Sequence, residues 1–177
     1  MKKVLAVLAV LSLAAPVHAA EGVKRVGVHA GFAGMSSEGS FAGFGGGLRA
    51  GWSVNDAITI GVDATASSNQ VTEKGGRSFV LSQSAGLIYA LDIIQIVPYA
   101  GVYVGAYELG GGGLAKTKLK AGAQLVLGLD WVYSREMTFG LELRAHALPG
   151  DFLAQPDNPT PFYVTSMLKA EYTWGWF

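Results

Sequence analysis

One stretch limits what this chain can become: "KLKAGAQLVLGLDW", residues 118–131. Leu119, Ala121, Ala123, Leu125, Leu127 and Leu129 fall on one face of an extended backbone. Lys120, Gly122, Gln124, Gly128 and Asp130 fall on the other. The period is 2, which belongs to a strand and not to a helix. An apolar face kept up over about ten residues is the pattern of a strand that crosses a lipid layer as part of a closed barrel.

The pattern recurs along the chain. Val26, Val28, Ala30 and Phe32 oppose Gly27, His29, Gly31 and Ala33. Ala42, Phe44, Leu48, Ala50, Trp52 and Val54 oppose a face that is mostly glycine, plus Arg49. Ile58, Ile60, Val62 and Ala64 alternate with Thr59, Gly61, Asp63 and Thr65. Phe79, Leu81, Ala85, Leu87, Tyr89 and Leu91 alternate with Ser82, Ser84 and Gly86. "VPYAGVYVGAYE" is a fifth stretch and residues 118–131 are the sixth. In the seventh, Met137, Phe139, Leu141 and Leu143 oppose Thr138, Glu142, Arg144 and His146. The eighth runs from about Phe162 onward. The links alternate too: 34–40, 67–77, 110–117 and 147–161 are mostly longer and polar or glycine-rich, whereas 55–56, 92–95 and 134–136 are short. Outer-membrane barrels show this asymmetry of long outer loops and short periplasmic turns. The expected fold is therefore all-β, an eight-stranded antiparallel up-and-down transmembrane β-barrel.

Composition supports a lipid environment. Half the residues are hydrophobic, only 15% are charged and 25 are glycine. A water-facing surface normally carries more charge. There is no cysteine, which excludes a disulfide scaffold and a lipid-anchored cysteine. "MKKVLAVLAVLSLAAPVHAA" has the basic start, apolar run and small-residue exit of a secretory signal. The expected organisation is a cleaved signal peptide over 1–19 and an outer-membrane barrel domain over 20–177.

Aromatic placement is a second line of argument. Trp52, Tyr89, Trp131, Tyr133, Trp174 and Trp176 all fall near strand ends on the short-link side. Trp and Tyr gather at membrane interfaces because their rings are apolar at one end and wettable at the other. Trp52, Tyr89, Trp131, Trp174 and Trp176 are the expected periplasmic girdle.

Signal, eight alternating stretches, "VPYAGVYVGAY" and the aromatic "AEYTWGWF" together resemble the small outer-membrane β-barrel superfamily, of the OmpA-barrel and OmpX type. The resemblance implies residence in the cell outer membrane after export through the periplasm, insertion by the barrel-assembly machinery, and contact with outer-membrane lipid and lipopolysaccharide. It also implies that Trp176 and Phe177 form the assembly signal. Phe177 departs from the family pattern, since it is out of phase with Tyr172, Trp174 and Trp176. Either Trp176 serves as the terminal aromatic or a bulge shifts the register.

An eight-stranded barrel is just wide enough for side chains to fill. Gly27, Gly31, Gly43, Gly45, Gly47 and Gly51 point inward and leave room across the lumen. Tyr99, Tyr103 and Tyr107 would occupy it if Val102 and Val104 face lipid; the opposite phase would put Pro98, Ala100 and Ala106 inside. Inward charges balance: Arg49, Lys120, Arg144 and Lys169 against Asp63, Asp130, Glu142 and Glu171. Isolated charges there would be costly, so a paired network is expected from Arg49, Asp63, Lys120, Glu142, Arg144, Lys169 and Glu171. That network reads as a plug, or as a gate if the pairs rearrange.

Enzymatic readings are weaker. Lipid A deacylases and palmitoyltransferases need a histidine with an activating or nucleophilic partner near the outer rim or facing lipid. His146 stands at the outer end of the seventh stretch, with Glu142 and Asp151 as orienting candidates, but Leu148 occupies the position where a deacylase-like serine would stand. "GGGLAK" joins two strands and does not open a helix, so a phosphate loop is excluded by context. No transition-metal site or cofactor is indicated, and calcium at Asp151, Asp157 and Asn158 lacks ligand spacing. Balanced net charge argues against nucleic acid. The expectation is a monomeric, non-enzymatic barrel with an envelope-structural or surface-interaction role. Its alternatives are a narrow passive channel, an OmpW-like route for small hydrophobic molecules, and a lipid A-modifying enzyme.

Overall fold

The computed structural model describes residues 22–36, 40–70, 76–91, 95–111, 117–148 and 162–175. Eight strands follow in order: β1 (Lys24–Ser36), β2 (Ser40–Ser53), β3 (Ile58–Gln70), β4 (Arg77–Ala90), β5 (Ile96–Gly111), β6 (Lys118–Val132), β7 (Met137–Ala147) and β8 (Phe162–Trp174). Each pairs antiparallel with its chain neighbours, and β1 pairs with β8 to close the barrel. Closure removes every sheet edge, the condition for strands to sit in hydrocarbon with all backbone groups bonded.

The faces are inverted relative to a water-soluble protein. Leu119, Leu168 and Phe44 stand 76%, 69% and 67% exposed, while Glu142 is fully buried and Arg144 is 1% exposed. On all eight strands the outward positions are mostly apolar and the inward ones mostly polar, aromatic or glycine, so a one-residue slip in any strand would turn its lumen-facing side chains toward lipid. The register is therefore strongly specified.

Strands run past the stretches marked by alternation. β3 continues to Gln70, with Ser68, Asn69 and Gln70 laddered against Phe79, Ser78 and Arg77. β1 continues to Ser36, opposite Ser40. Alternation of hydrophobicity reports only the part facing lipid. Beyond it the ladder persists on backbone bonds alone, and polar side chains do not oppose it. On the other end, short turns are tied locally. Asn55 Oδ1 accepts the N–H groups of Ala57 and Ile58 at 2.9 and 2.7 Å. Ser134 Oγ accepts those of Glu136 and Met137 at 3.3 and 3.1 Å. Such side-chain caps replace the backbone partners a tight turn removes.

The phase of β5 is resolved: Tyr99, Tyr103 and Tyr107 face inward and are buried. Their seats differ from the expectation. A Cβ on Gly86 would come within 2.6 Å of Tyr103 Cγ, and one on Gly122 within 2.7 Å of Tyr107 Cε2. Tyr99 lies over Gly128 in the same way. The rings thus rest on the adjacent strands β4 and β6, not on the glycines of β1 and β2, because the centre of the lumen is taken by charged side chains. The β1 and β2 glycines admit other groups: Gly47 admits His29, and Gly27 admits Glu171.

Candidate functional site

The lumen is filled in three tiers. The middle tier draws on β2, β3 and β7. Arg49 and Asp63 are register partners on neighbouring strands. Glu142 and Arg144 are two apart on β7 and so share its inner face. Arg49 donates from both terminal nitrogens to Glu142, at 2.7 and 2.8 Å. Arg144 donates likewise to Asp63, at 2.8 and 3.0 Å. Arg144 Nε also donates to Glu142, and Arg49 Nε donates to Asp63 at 3.4 Å. Tyr99 donates its hydroxyl to Glu142 at 2.7 Å, and Thr65 donates to Asp63 at 2.7 Å. Two cations and two carboxylates, each fork-bonded, sum to zero charge. Forked guanidinium–carboxylate geometry and full satisfaction are what make buried charge tolerable.

Toward the long-loop side the lumen becomes aromatic and more apolar, with Ser67 and Asn69 buried there and bonded, Ser67 to the Tyr163 hydroxyl at 2.8 Å. His29 and Thr65 share a hydrogen bond of 2.9 Å beside Arg144. His146 Nδ1 meets the Tyr107 hydroxyl at 3.1 Å, its Nε2 meets Thr165 Oγ1 at 3.4 Å, and the Tyr163 ring packs 4.5 Å from its own. Above them Ala33, Val80, Leu148, Tyr107 and Tyr163 form one buried cluster, with Leu109 against it. Leu148, 2% exposed, thus belongs to the loop-side filling of the lumen. His146 faces this packed interior and not lipid; the hydroxyls it meets are those of Tyr107 and Thr165, both buried. Glu142 is committed to the two arginines, and Asp151, Asp157 and Asn158 lie outside the described residues.

Toward the short-turn side, Lys169 bridges Asp130 at 3.0 Å and Glu171 at 3.3 Å, and stands 4.3 Å from the Tyr99 ring centroid. Glu171 lies 3.7 Å from Arg49 and so joins this tier to the middle one. Below is a cavity of about 300 Å³ whose lining includes Arg25, Tyr103, Asp130, Lys169, Glu171 and Thr173. Tyr103 hydroxyl and Asp130 Oδ1, both on this cavity, have no protein hydrogen-bond partner among the described residues.

Six of the seven residues expected in the lumen network, Arg49, Asp63, Glu142, Arg144, Lys169 and Glu171, lie within one connected set of ion pairs. Lys120 stands apart from them, level with Tyr107 in the ladder and half-buried. Trp52, Trp131 and Trp174 point outward at the turn-side ends of β2, β6 and β8, and Tyr89 stands at that end of β4. Trp52 and Trp174 flank Lys24 from either side in the register. Trp176 and Phe177 lie outside the described residues; β8 ends at Trp174, and Gly175 takes a φ of 91°. Sequence reasoning missed Thr65 and Tyr99 as ligands of the carboxylates, and Leu148, Tyr163 and Met167 as lumen fillers. For Tyr163 and Met167 the signal was available, since both share the phase of Lys169 and Glu171.

The sequence matches the family described as "Outer membrane protein beta-barrel domain" over residues 4–165. No curated protein matches it. Among solved structures, Neisserial surface protein A is 19% identical, with 86% of this chain and 99% of that one covered and a TM-score of 0.69. Ail, the attachment invasion locus protein of Yersinia pestis, is 14% identical, with 87% and 99% covered and a TM-score of 0.62. OprG from Pseudomonas aeruginosa is 14% identical, with 87% and 97% covered and a TM-score of 0.58. At these identities the likeness is one of fold.

Proposed function

Because the chain belongs to the outer membrane protein β-barrel family, a family of the cell outer membrane, we propose that it is a non-enzymatic envelope protein whose lumen is closed and whose outer loops carry any contact with the surroundings. Its short turns then face the periplasm, through which it is exported, and the barrel-assembly machinery inserts it. Cleavage of residues 1–19 and a terminal signal at Trp176 and Phe177 belong to the same reading. Trp52, Tyr89, Trp131, Trp174 and Trp176 act as the periplasmic girdle, and the outer wall contacts lipid and lipopolysaccharide.

One observation carries the closed lumen: the neutral, mutually bonded quartet Arg49–Glu142–Arg144–Asp63 lies beneath an apolar cap. An ion crossing it would have to break forked pairs and then leave water at Leu148 and Tyr163, and both steps are costly. The names of two similar barrels, a surface protein and an attachment protein, fit a role at the cell surface. In planar bilayers the wild-type protein gives no steady conductance; reproducible unit channels would overturn the reading. Membranes carrying it keep an unchanged lipid A mass. A change that disappears in His146→Ala would place it among the enzymes instead.

The second reading is a gated narrow channel. The cavity of about 300 Å³ supports it, since the turn-side part of the lumen is open enough to hold water. It predicts conductance that appears when Glu142 is removed.

A further inference from the structure

The outer wall carries a primary amide among apolar side chains. Gln83 is on β4, in the phase of Phe79, Leu81, Ala85 and Leu87, and it is exposed on the lipid side. Its height follows from strand geometry. Tyr89 is six residues toward the turns, which is roughly 20 Å along the strand at about 3.3 Å per residue. Phe79 is four residues the other way. At a tilt of about 40° these two aromatics bracket a band of about 25 Å, the height of the apolar belt of such barrels. Gln83 lies near the middle of that belt. A side chain with three carbons before its amide nitrogen cannot reach either interface from there.

A primary amide has two donors and an acceptor, and hydrocarbon satisfies none of them. Within the barrel, no hydrogen bond, ion pair or ring contact reaches the Gln83 side chain among the described residues. The surrounding wall is unusually low. Ala64 and Ala106 flank Gln83 in the register, and Ala85 and Ala66 adjoin it on the same face. Most of the rest of the band presents Val, Leu, Ile or Phe. Gln83 opens on a shallow depression bordered by Ala64, Ala85 and Val104.

We propose that Gln83 is the centre of a two-fold interface between two copies of this barrel in the membrane. The choice of occupant follows from the amide itself. It is self-complementary: across a two-fold axis each Gln83 donates N–H to the other's carbonyl, so one residue type supplies both halves of a closed pair. Small neighbours let two walls approach until the amides meet, the device by which small residues and Asn or Gln join helices in bilayers. A lipid acyl chain offers no donor or acceptor at this depth. A pair of barrels replaces the monomer expected from the sequence, and it leaves the lumen reading untouched, because β4 contributes to the interface only through its outer face.

The test uses the full chain in phosphatidylcholine vesicles at low protein density. The natural sequence has no cysteine, so single sites can be read cleanly. Ala85→Cys, with Gln83 kept, is compared with Leu168→Cys on the opposite strand β8, using a short bis-maleimide. Ala106→Cys serves if Ala85→Cys does not fold, as judged by heat-modifiable migration. The expected result is at least about tenfold more cross-linked dimer at Ala85 than at Leu168. Adding Gln83→Leu, which suits lipid better and so keeps the barrel folded, lowers the Ala85 cross-link about tenfold. Equal cross-linking at both walls, no dimer above the Leu168 level, or an unchanged yield in Gln83→Leu each overturns the proposal. So does cross-linking in native membranes that captures another protein and not a second copy.

Discussion

At the residue scale the lumen is decided by Glu142. It accepts from Arg49, Arg144 and Tyr99 together, and it is fully buried. Glu142→Ala leaves two guanidinium groups short of a counter-charge in the middle of the barrel. Removal of one partner from a buried pair typically costs about 3–5 kcal/mol. Urea titration of the vesicle-folded protein, followed by tryptophan fluorescence, checks this; a loss below about 1 kcal/mol would mean that lumen water already shields the arginines. Tyr103 is the opposite case. Its hydroxyl has no hydrogen-bond partner among the described residues, so Tyr103→Phe changes stability by less than about 1 kcal/mol. That hydroxyl also stands 2.7 Å from where a Cβ on Gly61 would be, whereas Tyr103 Cζ is at 3.5 Å. Gly61→Ala is therefore destabilising alone and tolerated beside Tyr103→Phe, where only an ordinary contact remains. A double-mutant cycle reads the coupling, and additivity of the two changes would refute the seating of the ring.

At the element scale, strands and their inner faces were legible because a closed barrel in lipid imposes one rule on every strand. Leu119 to Leu129 and Ile58 to Ala64 show it without help from any partner. The phase of β5 stayed open in the sequence, because the tyrosines on one face and the small Pro98, Ala100 and Ala106 on the other both fit a lumen; the structure puts Tyr99, Tyr103 and Tyr107 inside. Partners inside the lumen were not legible. Arg144 finds Asp63 across 81 residues and Arg49 finds Glu142 across 93. Heights around a tilted barrel depend on the stagger of all eight strands, which no single strand encodes. In the sequence Leu148 falls within the 147–161 link, and its burial in the lumen depends on how β7 exits the barrel. The turns belong to this scale as well. Asn55 holds the β2–β3 connection through two bonds to backbone N–H groups, at 2.9 and 2.7 Å. Asn55→Ala removes both and lowers stability by about 1–2 kcal/mol, while Asn55→Asp, which keeps an acceptor, loses less than half of that. The same urea titration separates them; equal losses would show that the side-chain bonds do not hold the turn.

At the scale of the whole molecule, the barrel is asymmetric along its axis. The turn side holds a cavity of about 300 Å³ with charged lining, the centre holds the bonded quartet, and the loop side holds the apolar cap. On the proposed reading of a closed lumen, water enters from the turn side only. The missing cysteines allow this to be mapped directly. Thr59→Cys and Thr173→Cys line the cavity, and both react with a charged, membrane-impermeant thiol reagent when the turn side is accessible, and not when only the loop side is. Ala33→Cys, in the apolar cap, stays unreactive from either side. Introducing Glu142→Ala into the Thr59→Cys protein tests plug against gate in one measurement. If the quartet alone separates the two ends, reactivity from the loop side rises together with conductance. If the apolar cap suffices, reactivity stays one-sided although the barrel has become less stable. The cap buries Leu148 and Tyr163 to 2% exposure each, and the polar groups beside it are buried and bonded, Ser67 to the Tyr163 hydroxyl at 2.8 Å and Asn69 Nδ2 to Ser67 Oγ at 3.4 Å. The expected outcome is therefore one-sided reactivity in both proteins, with conductance appearing only when Glu142→Ala is combined with Leu148→Ala; current through Glu142→Ala alone would identify the ion pairs as the gate.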